Sequence, residues 1–267
     1  MDFSKVKLIV TDMDGTLLNS KHEMSADFFE LYTSLQKKGI HFAAASGRQH
    51  HSIEEKLFPI KDQITIISEN GGLGRQGAQE LFTVTTNLEV LLKAIAPLKK
   101  IKNTAFVLCG KKHAYFERNN LEHATTILQY YSNYKIVDTF ADITQDSFFK
   151  VAIFHEDCSE THLYPLTQEN SGDLQVIISG KNWLDISHKN ANKGNAVSML
   201  QEKLKIKKSE TMVFGDYNND LKMLAEADFS YAMQNAHPNV KEMANYETLS
   251  NDERGVEHIL KQVINSN

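Results

Sequence analysis

The chain has 267 residues, which predicts two domains or one large α/β domain. Its net charge of −5 argues against a nucleic-acid or membrane-surface binder, because such a protein needs a basic patch to neutralise phosphates. Its two cysteines are too few for a disulfide framework or a four-thiolate zinc site. No apolar run approaches the ~20 residues of a membrane span, and the first residues lack a basic segment followed by an apolar one. We therefore expect a cytoplasmic protein with no nucleic-acid or membrane partner.

Apolar runs and helical patterns alternate over the first 84 residues. Strands are predicted at 7–11, 40–45 and 64–67. One helix is predicted from the N-cap Ser25 until Gly39, and a second helical stretch follows Arg48 and runs toward Phe58. The same rhythm returns with a helix at 193–204, a strand at 211–214, a helix at 220–227, a strand at 229–232 and a last helix from Gly255. Such nearly continuous apolar strands alternating with helices are typical of a parallel sheet covered on both faces.

The middle of the chain has a different pattern. We predict helices at 87–99, 121–131 and 161–169, a hairpin from 104–109 and 113–116, and strands at 148–154, 174–179 and 183–187. This pattern indicates an α/β insertion with an antiparallel sheet at 85–187, between two parts of a core domain at 1–84 and 188–267. Trp183 is expected in the core of the insertion, with a wall of the substrate site as the alternative.

Polar residues follow three of the predicted strands. Asp12 and Asp14 follow the first strand, Ser46 the second, and Asp216 the strand that ends at Phe214. Ligands gather beyond the carboxyl ends of the strands in open parallel sheets, so these side chains are expected in one crevice. Three carboxylates there would repel one another by several kcal/mol, since unit charges ~4 Å apart cost about 4 kcal/mol at an effective dielectric near 20. All-oxygen ligation predicts Mg²⁺ as the compensating ion.

Four short motifs in this order resemble those of the haloacid dehalogenase-like phosphatases. They are Asp-Met-Asp-Gly-Thr-Leu-Leu from Asp12, Ala-Ser-Gly-Arg from Ala45, Asn-Lys-Gly from Asn192 and Gly-Asp-Tyr-Asn-Asn-Asp from Gly215. The insertion is similar to the cap of the Cof-type branch, subfamily IIB. The resemblance implies an α/β fold with a doubly wound, mostly parallel Rossmann-like core and an inserted α/β cap domain.

The resemblance also implies a role for each matched residue. Asp12 would attack phosphorus and form an aspartyl-phosphate, while Asp14 would protonate the leaving alcohol and then deprotonate water. Mg²⁺ would be held by Asp12, the backbone carbonyl of Asp14 and Asp216, with Asp220 orienting the metal ligands. The phosphoryl oxygens would be held by Met13, Ser46, Gly47, Lys193 and Asn219. Lys189 competes with Lys193 for this role, and the Lys-Gly pair at a helix start favours Lys193.

The expected activity is a Mg²⁺-dependent phosphomonoesterase acting on small phosphorylated metabolites, chiefly sugar phosphates, as a monomer or homodimer. Two alternatives are a sugar phosphomutase and a catalytically idle binding or regulatory protein on the same fold. A dehalogenase is disfavoured because Asp14 has no task when the leaving group is a halide. A dinucleotide fingerprint at 72–77 is interpreted as a hairpin turn, because a strand rather than a helix follows it.

Overall fold

The computed structural model of the protein describes residues 2–119, 123–128, 130–167 and 174–266, with Ala124 described by its backbone alone. Within these ranges the strands are β1 Leu8–Asp12, β2 His41–Ala45, β3 Thr65–Ser68, β4 Leu73–Gln76, β5 Gln79–Thr83, β6 Thr104–Gly110, β7 Ala114–Glu117, β8 Tyr134–Val137, β9 Phe148–His155, β10 Leu174–Gly180, β11 Trp183–His188, β12 Thr211–Gly215, β13 Phe229–Ala232 and β14 Tyr246–Glu247. The α-helices are α1 Phe28–Lys37, α2 His50–Lys56, α3 Leu88–Ile95, α4 Ala124–Leu128, α5 Ser159–His162, α6 Tyr164–Thr167, α7 Lys193–Leu204, α8 Leu221–Leu224, α9 Pro238–Met243 and α10 Gly255–Asn265. Short 3-10 helices lie at Glu69–Gly71, Leu98–Lys100, Phe140–Asp142, Lys208–Glu210 and Asn218–Asp220.

The core sheet has the strand order β14-β13-β12-β1-β2-β3-β4-β5. Its strands from β14 to β3 are parallel, while β4 and β5 form an antiparallel edge. Every residue of β1 is buried because the strand lies at the centre of the sheet with helices against both faces. This arrangement confirms the predicted α/β class with a mostly parallel core.

A second sheet, which we call the cap sheet, has the order β10-β11-β9-β6-β7-β8. Its pairs are antiparallel except β7 with β8, which run parallel. The prediction of a purely antiparallel insertion was therefore wrong at β8, a strand that the sequence pattern did not indicate. The strand has only four residues, three of them exposed, so it is not a buried apolar run of the kind that marks the other predicted strands.

Several local predictions needed correction. The N-cap of α1 is Asp27 rather than Ser25, whose hydroxyl donates instead to Glu257 at 2.5 Å. The helix predicted at 87–99 ends at Ile95, just before Pro97, and the one predicted at 220–227 is reduced to α8. The glycine-rich segment at 72–77 contains β4, and the turn of its hairpin lies at Gly77. The helices predicted at 121–131 and 161–169 extend over residues 121, 122, 129, 168 and 169, which lie outside the described residues; the described parts form α4, α5 and α6.

Separate groups of buried apolar side chains pack against the two sheets. One cavity of about 620 Å³ lies between the carboxyl edge of the core sheet and one face of the cap sheet. Among the described helices, none combines the length and apolar character that crossing a membrane would need.

Candidate active site

The predicted site residues lie at one edge of the core sheet. Asp12 is the last residue of β1, Ser46 follows β2, and Asp216 follows β12. Because β1 runs parallel to both β2 and β12 and lies between them, the carboxyl ends of the three strands meet. All three side chains line the same cavity.

Lys193 is buried between two of the carboxylates. Its Nζ lies 2.5 Å from Asp12 Oδ1 and 2.7 Å from Asp220 Oδ1. Burial by itself would lower the pKa of Lys193, but the two carboxylates raise it above its ordinary value. Lys193 is the first residue of α7, and the Asn192 side chain caps this helix by accepting from the backbone N–H of Asn195. The competing Lys189 is exposed, so Lys193 is the lysine beside Asp12.

Carboxylate oxygens of Asp12, Asp216 and Asp220 lie within 4.8 Å of one another. Burial raises the pKa of Asp12 to about 7, and burial together with Asp12 and Asp220 raises that of Asp216 well above its ordinary value. Both Asp220 oxygens are already engaged, one by Lys193 and the other by the backbone N–H groups of Asp216 and Tyr217. Asp220 therefore orients the loop rather than presenting a free oxygen.

Two carboxylate oxygens remain for a cation. In the described part of the chain, Asp12 Oδ2 and Asp216 Oδ2 accept no hydrogen bond, and Asp216 has only the Thr16 hydroxyl as a donor, at 3.1 Å. A buried and a half-buried carboxylate with unused oxygens, lying close together, fit a hard divalent cation, for which Mg²⁺ is the ordinary protein-bound choice. Gly15 makes room for this arrangement, because its φ is +77° and a Cβ at this position would clash with Asp216.

Asp14 is held by two basic residues. Arg48 donates to both of its oxygens at 2.6 Å, and His22 Nδ1 lies 2.9 Å from Oδ1. Burial would raise the pKa of Asp14, but the hydrogen bonds from Arg48 and His22 outweigh it and hold the pKa well below its usual range. The Arg48 guanidinium also lies 4.9 Å from the ring centroid of Tyr130, which belongs to the insertion. Asp14 is therefore ionised in this arrangement.

Not all the residues predicted to hold the phosphoryl group have side chains that line the cavity. Ser46, Gly47 and Asn219 line the cavity, and the Ser46 hydroxyl accepts from the Arg48 backbone N–H at 3.1 Å. Asn219 donates to the side-chain oxygen of Asn70 at 3.0 Å. The Met13 side chain is fully buried in the core, so only its backbone can face a ligand.

A buried ion cluster beside the cavity was missed by the sequence analysis. Lys150 Nζ on β9 lies 3.0 Å from Asp185 Oδ2 on β11, 3.5 Å from Glu69 Oε2 and 2.7 Å from the Gly47 carbonyl oxygen. Asp185 also accepts a hydrogen bond from Asn70. Burial would lower the pKa of Lys150, yet Asp185 and Glu69 raise it, while burial raises the pKa of Glu69 to about 7.

The signal for this cluster was present in the sequence. Lys150 interrupts the apolar run Phe-Phe-Lys-Val-Ala-Ile-Phe, and Asp185 interrupts Trp-Leu-Asp-Ile. A charge inside a strand that is otherwise apolar requires a partner if it is buried. The sequence alone does not identify that partner.

The two residues that contact Asp14 were also not predicted. Arg48 belongs to the Ala-Ser-Gly-Arg motif but was given no role there, and His22 lies in no motif.

Comparisons with known proteins agree with this geometry. Residues 9–260 match the family model described as haloacid dehalogenase-like hydrolase. A relative in Escherichia coli K12, named 5-amino-6-(5-phospho-D-ribitylamino)uracil phosphatase YbjI, is 30% identical over 97% of this chain and 96% of that protein. The phosphatase YwpJ of Bacillus subtilis 168 is 26% identical over 97% of this chain and all of its own length.

Solved structures show the same architecture. SMU.1108c from Streptococcus mutans UA159 superposes with a TM-score of 0.90 at 31% identity, covering 96% of this chain and 98% of that one. The subclass IIB sugar phosphatase BT4131 shares the fold with a TM-score of 0.83 at 23% identity, covering 96% of this chain and 98% of that one. The four motifs, the strand-end carboxylates and these matches together show that the chain belongs to the haloacid dehalogenase-like hydrolases and is a phosphatase.

Proposed function

We propose that this protein hydrolyses phosphomonoesters of small metabolites with the help of Mg²⁺ and through an aspartyl-phosphate intermediate. The observation that carries this proposal is the position of Asp12, whose carboxylate lies between Lys193 and Asp216 at the base of the cavity. Burial raises the pKa of Asp12, and the Lys193 ammonium partly offsets this effect by favouring the ionised carboxylate. An ionised carboxylate is the nucleophile that this reaction needs.

In the first step an Asp12 oxygen forms a bond to phosphorus while the bond from phosphorus to the alcohol oxygen breaks. Asp14 gives a proton to the departing alkoxide, and in the second step it takes a proton from the water that attacks the aspartyl-phosphate. The second step releases phosphate and restores Asp12. Since Arg48 and His22 favour the ionised form of Asp14, these contacts must loosen before Asp14 takes up the proton that it donates.

The remaining residues bind and orient the phosphoryl group. Lys193, the Ser46 hydroxyl and the Gly47 amide supply donors where negative charge concentrates, with Asn219 and the backbone of Met13 beside them. Asp12 and Asp216, with the Asp14 backbone carbonyl, would hold Mg²⁺, while Asp220 fixes the loop. When bound, Mg²⁺ would offset the repulsion between the anionic nucleophile and the anionic phosphate.

The cavity volume of about 620 Å³ is in the range of small-molecule sites, which supports a small phosphorylated metabolite such as a sugar phosphate. A second candidate substrate is the ribitylaminouracil phosphate in the name of the Escherichia coli relative, which matches nearly the whole chain. A cytoplasmic location, a monomer or homodimer, and domain limits of 1–84, 85–187 and 188–267 stay predictions from the sequence.

The test is phosphate release across a panel of phosphorylated metabolites, with and without Mg²⁺. We expect Asp12→Asn and Mg²⁺ chelation each to reduce turnover at least about 1,000-fold, because the reaction loses its nucleophile or its charge compensation. Asp138→Asn is the matched control, since that carboxylate is 83% exposed and outside the cavity. Near-normal turnover by Asp12→Asn would exclude the covalent route. Isomerised sugar phosphate without released phosphate would favour the phosphomutase, and no reaction with any ester would favour the idle binding protein.

A further inference from the structure

The face of the cap sheet that lines the cavity is charged at one end of its strands and aromatic at the other. On β9 the alternate residues Lys150, Ala152 and Phe154 line the cavity, and on β11 Trp183 and Asp185 do so. The register pairs Trp183 with Phe154 and Asp185 with Ala152. Since side chains alternate between the two faces of a strand, these five residues share one face.

The charged end of this face lies at the proposed phosphate site, because Lys150 donates to the Gly47 carbonyl oxygen. The aromatic end begins at Phe154, which follows Lys150 by four residues on β9. Four residues of extended strand span about 13 Å. Between them Ala152 contributes only a methyl group, which leaves space in the cavity. A phosphate bound at the charged end therefore has room for a polar linker before the aromatic end.

The aromatic end consists of rings that contact one another. The Trp183 ring centroid lies 5.3 Å from that of Phe154 and 5.6 Å from that of Tyr130, with interplanar angles of 65° and 81°. Tyr130 also stacks on Arg48, so it joins the aromatic group to the residue that holds Asp14. Trp183 itself is half-buried and lines the cavity, and its indole N–H has no hydrogen-bond acceptor among the described residues.

The turn that carries Trp183 is held by side-chain hydrogen bonds. Asn182 Nδ2 donates to the carbonyl oxygens of His155 and Glu156, each at 2.8 Å. The Ser159 hydroxyl lies 3.0 Å from the Trp183 carbonyl oxygen, to which it donates. These contacts fix the backbone on both sides of the turn, which lowers the cost of ordering this segment on binding.

We propose that this aromatic end is a subsite for a planar heterocycle carried on the leaving group of the substrate, with Trp183 as the specificity-determining residue. The substrate class is a phosphomonoester with a polar linker and a ring that bears a hydrogen-bond acceptor. This inference rests on the proposed phosphatase function. A ring gains stacking against Trp183, which pairs with Phe154 about 13 Å along the strand from Lys150.

The first test compares two phosphates that differ in the ring. Ribitol 5-phosphate and 5-amino-6-(5-phospho-D-ribitylamino)uracil share the ribityl phosphate, and only the second carries a pyrimidine. The readout is the ratio of their kcat/KM values, which is independent of the concentration of folded enzyme. In the wild type we expect kcat/KM for the pyrimidine-bearing phosphate to exceed that for ribitol 5-phosphate by at least about tenfold. Ring stacking predicts that this ratio falls about tenfold in Trp183→Leu and less than about threefold in Trp183→Phe. Phe58→Leu is the control, because this aromatic residue is 69% exposed and outside the cavity.

The second test measures binding without turnover. Trp183 is the only tryptophan of the chain, so the fluorescence of Asp12→Asn reports directly on a ring placed against it. After correction for ligand absorbance, we expect saturable quenching by the ring-bearing phosphate and none by ribitol 5-phosphate. A kcat/KM ratio near one, an unchanged ratio in Trp183→Leu, or unquenched fluorescence overturns the subsite even if phosphate is released. Saturable quenching without phosphate release from any ester supports the subsite and overturns the proposed function.

Discussion

The ion cluster around Lys150 allows a quantitative prediction for the contact between the two sheets. Lys150→Met keeps most of the side-chain volume and removes the ammonium group that faces Asp185, Glu69 and the Gly47 carbonyl oxygen. Removing one partner of a buried ion pair costs about 3–5 kcal/mol, because the remaining charge is left in a poorly solvated site. The Lys150 side chain is only 3% exposed, so solvent cannot replace the lost contacts.

The pKa of Glu69 places the expected loss at the lower end of that range. At a pKa of about 7 Glu69 takes up a proton readily, and without Lys150 it becomes neutral at higher pH still. We therefore expect a loss of about 3 kcal/mol in the free energy of unfolding at pH 8, with a fall of roughly 6–12 °C in Tm. The loss should be smaller at pH 5.5, where Glu69 is protonated in both proteins.

The assay is urea unfolding followed by far-UV circular dichroism at both pH values. Lys100→Met, which changes an exposed lysine, controls for the substitution itself. The double variant Lys150→Met with Glu69→Gln should recover part of the loss, because it also removes the unpaired carboxylate. A Lys150→Met variant within 1 kcal/mol of the wild type at pH 8, or a loss that is the same at both pH values, would refute the reasoning, given the ~3 kcal/mol expected for a buried pair.

Three further predictions concern single residues. Asp14→Asn should slow both half-reactions by about 10²–10⁴-fold and steepen the dependence of rate on leaving-group pKa; an unchanged dependence would contradict its role as acid. Gly15→Ala should raise the Mg²⁺ concentration for half-maximal activity about tenfold or more, because its Cβ would displace Asp216. Gly39→Ala shares the positive φ without any neighbour within 4 Å, so it should cost about 1 kcal/mol of stability and leave the Mg²⁺ requirement unchanged. Burial lowers the pKa of His50 from 6.5 to about 4, so its contribution to stability is present above pH 6.5 and is lost as the pH falls toward 4. Unfolding at several pH values should show a steeper decline in this window for wild type than for His50→Gln, by up to about 3 kcal/mol; parallel curves would argue against this assignment.

The sequence predicted the core because its signals are local. The apolar runs that became β1, β2 and β12 each end at polar residues, and strand-helix alternation is enough to make those ends neighbours in a parallel sheet. The positions of Asp12 and Asp216 next to each other follow from this order. The short edge strand β8 was not predictable, since it has only four residues, three of them exposed, and depends on pairing with β7.

Tertiary structure alone decided how the charges pair. Asp14 meets Arg48 and His22 across 34 and 8 residues, and no pattern in the sequence distinguishes these partners from other basic side chains. Likewise, sequence patterns indicated that Lys150 lies in an apolar strand, but only the packing of the cap sheet against the core places it between Asp185 and Glu69. Periodicity reports burial along one segment, whereas the partner of a buried charge is set by contacts between distant segments.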